Sequence, residues 1–139
     1  MLEILNFIVG STSTLLSAIA IYLYIVLWKK DKTDGAYDVF DSTYKDLLAV
    51  ALDHPALRNE KKTALFTTSF SEDDRIRYET YAFMCLNFCE TLYDKGNEEL
   101  MYTWGVVVEI EYNLHKSWLN EGTNETMFKK EFVDYLRKL

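Results

Sequence analysis

The chain has 139 residues, of which 49% are apolar and 15% aromatic, with one Pro and five Gly. This length suits a single domain, and the composition excludes disordered, collagen-like and low-complexity classes. Fifteen Lys and Arg against 22 Asp and Glu leave a net charge of -7, which excludes general nucleic-acid binding because an acidic surface repels phosphate backbones.

The first element is apolar. No residue between Glu3 and Lys29 is charged, and the run Ile4 to Trp28 is long enough as a helix, roughly 37 Å at 1.5 Å per residue, to cross a hydrocarbon core of about 30 Å. The start, Met1-Leu2-Glu3, lacks the basic side chain of a cleaved leader, so residues 1–30 are predicted to stay as a transmembrane anchor. Lys29, Lys30 and Lys32 follow the run and no base precedes it. The positive-inside rule then predicts an inner-membrane protein with its N-terminus outside and its C-terminal domain in the cytoplasm. Tyr22, Tyr24 and Trp28 suit the cytoplasmic interface. Asn6, Gly10, Ser13, Thr14 and Ser17 recur every three to four residues, a small and polar stripe that lets helices approach and hydrogen-bond. This stripe is the candidate membrane-helix interface. Its expected partners are the lipid bilayer together with further copies of the chain or a larger membrane complex. A lone anchor and a narrow pore are the other readings of the same stripe.

Residues 31–35 form a charged connector closed by Gly35, and residues 36–139 are predicted to be a cytoplasmic helical bundle. Its first helix covers Asp38 to Asp53, with Phe40, Tyr44, Leu47, Leu48 and Ala51 on one stripe, and His54-Pro55 ends it. Residues 55–70 lack a sustained period and read as a short turn or helical piece followed by a loop. Ser71, followed by Glu72-Asp73-Asp74, is a helix cap with acids in the first turn. That helix is predicted to run to Lys95 and stop at Gly96. It is apolar nearly all round over residues 81–93, as expected of a central helix. Asn97 caps the next, from Glu98 to Asn120, which stops near Gly122. Thr123 or Asn124 caps a last helix with Phe128, Phe132, Tyr135, Leu136 and Leu139 inward. The class is all-α: one membrane helix and about four helices beyond it.

Polar residues on apolar faces mark the candidate site. Trp104, Glu111 and Trp118 are seven apart, so Glu111 points into the helical seam, with His115 one turn on. Asn87 and Glu90 lie in the most apolar stretch of the preceding helix, and Arg58, Arg75 and Arg77 are the available cations. The candidate buried polar cluster is therefore Arg58, Arg77, Asn87, Glu90, Glu111 and His115. A structural network, a pocket for an anionic or nucleotide ligand, and a metal held by Glu90, Glu111 and His115 are the alternatives. Di-iron bundles use Glu-x-x-His twice. Here Glu-x-x-x-His occurs once, which is short of ligands, so no metal or other cofactor is expected. Cys85 and Cys89, four apart on one helix, read as reduced core residues. The phosphate-binding loop, the dinucleotide turn, Cys-x-x-Cys and Gly-x-Ser-x-Gly are all missing, so a non-enzymatic role is expected over catalysis.

Asp53-His54-Pro55-Ala56-Leu57-Arg58, Arg77-Tyr78, Tyr81-Ala82, Asn87-Phe88-Cys89-Glu90, Glu111, Leu114-His115 and Trp118 together resemble an uncharacterised bacterial family of short proteins. Its members have one N-terminal membrane helix and a cytoplasmic helical domain. The resemblance covers residues 36–139 and implies that layout and no particular activity. A weaker likeness is to membrane-anchored HEPN-type effectors of antiviral systems, which use Arg-x4–6-His to cleave RNA. Arg58 is followed by Thr63 where that His would stand, and no other Arg has a His four to six residues on. The expected function is a membrane-held interaction module. The alternative is a ligand-sensing or HEPN-like effector of an antiviral or stress system.

Overall fold

The computed structural model describes the backbone of residues 2–96 and 98–139, and the side chains of residues 19–30, 35, 37–96 and 98–139. The described chain is helical, with no strand among the described residues. Two compact units divide it, Met1–Val39 and Phe40–Leu139.

Helix α1, Leu2–Asp53, is continuous. The connector predicted at residues 31–35 is therefore not a break. Charge alone does not stop a helix, and Gly35 costs only about 1 kcal/mol against Ala with no Pro nearby to enforce a stop. Every described side chain from Ile19 to Lys30 is exposed. No helix among the described residues is long and apolar enough to cross a membrane. The predicted span begins at Ile4, and the side chains of residues 1–18 fall outside that set. The interface stripe Asn6, Gly10, Ser13, Thr14 and Ser17 likewise lies outside the described side chains.

In the second unit α1 ends at Asp53, where Pro55 forces His54 out of the helical region (φ −132°, ψ 73°). A 3-10 turn, Pro55–Arg58, follows, then two short helices, α2 (Glu60–Ala64) and α3 (Phe66–Ser69). Asn59 starts α2 by accepting the Lys62 N–H on its side chain. The segment expected as a short turn or helical piece followed by a loop is thus folded into short helical pieces, and Leu57, Thr63 and Phe66 fix it to the core.

Helix α4, Glu72–Lys95, starts as predicted, with the Ser71 hydroxyl accepting the Asp74 N–H at 3.3 Å. It stops at Gly96, but not through a left-handed turn, since Gly96 has φ −66°. The reason for glycine is room: a Cβ there would lie 2.5 Å from the Leu92 carbonyl oxygen and 2.8 Å from Met101 Cγ. Asn97, the predicted cap of the next helix, lies outside the described residues. Helix α5, Glu98–Leu119, packs along α4 and also receives α2.

The last helix differs from expectation. Asn124 does not cap it; its side-chain amide donates to the Trp118 carbonyl at 2.8 Å and closes the end of α5. A 3-10 turn, Asn124–Met127, and extended backbone at Phe128 come first, and α6 is Lys130–Leu136. Gly122, at φ 55°, allows the reversal between α5 and this segment.

Aromatic side chains fill much of the core. Phe40 and Tyr44 of α1, Phe88 of α4 and Trp104 of α5 form one group, with ring centroids 5.5 to 6.4 Å apart. Phe83, Trp118, Phe128 and Phe132 form another. A fully buried Phe or Leu contributes about 1.5–3 kcal/mol, so these contacts hold α1, α4, α5 and α6 together.

Candidate functional site

Glu111 and His115 are one turn apart on α5, and both side chains are fully buried. A carboxylate in that position needs a cation and donors. The 3-10 turn Pro55–Arg58 supplies the cation. Arg58 Nη1 meets Glu111 Oε1 at 2.6 Å. The Tyr44 hydroxyl, from α1, donates to the same oxygen at 2.8 Å. Arg58 also donates to the Tyr81 hydroxyl of α4 at 3.4 Å. On the far side, the Tyr78 hydroxyl pairs with His115 Nδ1 at 3.2 Å.

Two polar atoms remain in the middle. Glu111 Oε2 and His115 Nε2 face each other at 3.5 Å, and neither has a hydrogen-bond partner. Cys85 of α4, fully buried and unbridged, sits against them. Its Sγ, a Glu111 carboxylate oxygen and a His115 ring nitrogen all lie within 4.8 Å of one another.

The electrostatics follow from this enclosure. Burial alone would raise the Glu111 pKa, but the facing His115, the Arg58 guanidinium and the Tyr44 hydroxyl outweigh it and bring it down to about 2. Burial lowers the His115 pKa against the pull of Glu111, so the ring is neutral near pH 7. Burial and then the Glu111 charge push the Cys85 thiol up, so it is protonated and a poor nucleophile. Burial works against the Arg58 charge, but its bonds to Tyr81 and Glu111 raise its pKa overall.

The structure brings Arg58, Glu111 and His115 together and places the other three candidates elsewhere. Arg77 is exposed and pairs with Asp74 at 3.1 Å. It follows Ile76 and precedes the buried Tyr78, about 100° of helical turn from the inward face. Asn87 is exposed because it lies two residues, about 200°, beyond the inward Cys85. Glu90 is half-buried and accepts the Lys129 N–H at 2.7 Å, so it caps the start of α6 instead of joining Glu111 in a ligand set. The members that pattern reasoning missed are Tyr44, Tyr78, Tyr81 and Cys85. Their spacing marked them as apolar, and their hydroxyl and thiol groups were the available signal.

Arg58 gives the cluster a link to solvent. It lines an open groove of about 450 Å³ with Glu60, Glu109, Asn113, Val106 and Ile110. Two carboxylates in that groove oppose an anionic ligand. Thr63, at the position of the effector signature's His, is buried, and its hydroxyl donates to the Glu60 carbonyl at 3.3 Å. An alcohol has no imidazole lone pair for proton exchange near neutral pH.

No protein-family model, curated protein or solved structure matches the chain.

Proposed function

We propose that the chain is a tethered, non-enzymatic interaction module. An apolar N-terminal helix sits in a bilayer, and an acidic helical bundle on the cytoplasmic side associates with further copies or joins a larger membrane complex as a small accessory subunit. The observation that carries this reading is the exposure of Ile19 to Trp28. Their large apolar side chains are 44% to 70% exposed, and as consecutive residues they cover every face of the helix. Such a surface in water costs about 25 cal/mol per Å², and hydrocarbon removes that cost. Tyr22, Tyr24 and Trp28, followed by Lys29 and Lys30, suit an interfacial end.

Two features of the bundle support interaction over turnover. Glu111 and His115 are enclosed and turned toward Tyr44, Arg58, Tyr78 and each other. Tyr102, Val106 and Ile110, at four-residue spacing on α5, leave an apolar stripe exposed by 90%, 61% and 47%.

Membrane fractionation with an alkaline carbonate wash, followed by mass measurement in detergent, tests the proposal. The intact chain should stay with the membranes and emerge above monomer mass. Recovery in the wash overturns the tether, and a strict monomer with no co-purifying subunit overturns the association. Gly10→Leu with Ser17→Leu should lower the mass, and an unchanged complex rejects the stripe as the interface.

A further inference from the structure

The middle of the buried cluster is built like a metal site. Each donor has its remote atom held by another group. Arg58 and Tyr44 occupy Glu111 Oε1, and Tyr78 occupies His115 Nδ1. This leaves Glu111 Oε2 and His115 Nε2 fully buried and without hydrogen-bond partners, and Cys85 Sγ lies within 4.8 Å of a carboxylate oxygen of the first residue and a ring nitrogen of the second. Metal-binding His and carboxylate side chains are oriented by such outer partners in general. The 3.5 Å between Oε2 and Nε2 is long for a hydrogen bond. Two ligands bound at 2.0–2.1 Å to one tetrahedral ion lie about 3.4 Å apart, which is close to that separation.

We infer that Cys85 Sγ, Glu111 Oε2 and His115 Nε2 bind one borderline divalent ion, zinc foremost, which pins α4 to α5. Thiolate, imidazole and carboxylate are all zinc ligands, with Zn–S near 2.3 Å. The three donors lie within 4.8 Å of one another, so side-chain movement of about 1 Å brings them to bonding positions. Binding releases the Cys85 thiol proton to solvent, the carboxylate is already ionised and the imidazole already neutral. Two anionic donors balance the ion's two charges, and the remaining positive charge is on Arg58, whose side chain is 22% exposed and reaches water. Three protein donors leave one tetrahedral position for a water molecule. The burial of all three fits a structural pin and not a substrate-facing centre.

Cobalt titration of the purified full chain in detergent, under reducing conditions, tests the site. One equivalent of Co²⁺ should bind with a thiolate-to-metal charge-transfer band, and zinc should displace it. Cys85→Ser should lose the band while Cys89→Ser keeps it. Tyr78→Phe, which frees His115 Nδ1, should weaken binding about 10- to 100-fold. Circular dichroism on the same samples reports folding, and the Cys89→Ser titration decides the question should Cys85→Ser unfold, because Cys85 is then the one thiol left in the chain. No band in the wild type, or the same response from the Cys85 and Cys89 variants, overturns the inference; Glu111 and His115 are then only facing polar groups.

Discussion

Arg58 and Glu111 meet at 2.6 Å across 53 residues of chain, and they share the contact unequally: the acid is fully buried and the base reaches solvent. The asymmetry determines what happens when either is removed. Taking away Arg58 strands a charge inside the bundle. Taking away both removes the need for compensation.

Arg58→Met should therefore destabilise the bundle by about 3 kcal/mol, the range for breaking a buried pair from one side. Adding Glu111→Leu to it should recover more than half of that loss. Denaturant unfolding of the full chain in detergent measures both. A double variant as unstable as the single one contradicts this account of the pair.

Acid should weaken the fold in two stages, measured with chelator present so that no metal contributes. His115 has a folded pKa below its ordinary 6.5, so the unfolded chain binds its proton first and stability falls as pH drops below 6.5. Glu111, ordinarily 4.5 and about 2 when folded, contributes about 3 kcal/mol above pH 4.5 and loses it between 4.5 and 2. Arg58, Tyr78 and Cys85 face these groups and keep their protonation across that range. His115→Gln should remove the first stage.

Two glycines should respond in opposite directions to alanine. At Gly96 the added carbon meets the Leu92 carbonyl at 2.5 Å and Met101 beyond it, so Gly96→Ala should destabilise. At Gly105, inside α5, nothing lies within 4 Å, so Gly105→Ala should stabilise by about 0.5–1 kcal/mol. Thermal unfolding of the pair compares them directly.

Glu90→Ala should cost about 1 kcal/mol, the usual value of a lost cap, because its carboxylate holds the Lys129 N–H at the start of α6. Asp94→Asn, which breaks the exposed Asp94–Lys129 pair, should change stability little. Amide exchange across Lys130–Leu136 should quicken in the Glu90 variant. Unchanged protection there would show that packing of Phe132 and Leu136 suffices.

The two features most legible in the chain were those with a local cause. Ser71 before three acids defined the start of α4, and Pro55 defined the end of α1, because caps and ring sterics act within a turn. The Trp104–Glu111–Trp118 spacing placed Glu111 inward because α5 is regular across that span. What could not be read had distant causes. Asn87 and Glu90 share a stretch that looks apolar all round, but α4 turns outward at one and toward Lys129 at the other. The contact with Lys129 at the start of α6 decides the place of Glu90. Tyr44, Tyr78 and Tyr81 were counted as greasy by periodicity, yet two bond to Arg58 or Glu111 and the third to His115. Pattern weighs the ring, and the fold uses the oxygen.

The three tryptophans divide the chain optically. Trp104 and Trp118 are enclosed in the bundle, and Trp104 keeps an indole N–H without a partner, whereas Trp28 is half exposed on the apolar run. Collisional quenchers in water reach Trp28 and spare the other two. The molecule thus carries a reporter at its apolar end and two internal references, and quenching with and without vesicles tests whether lipid shields the first alone.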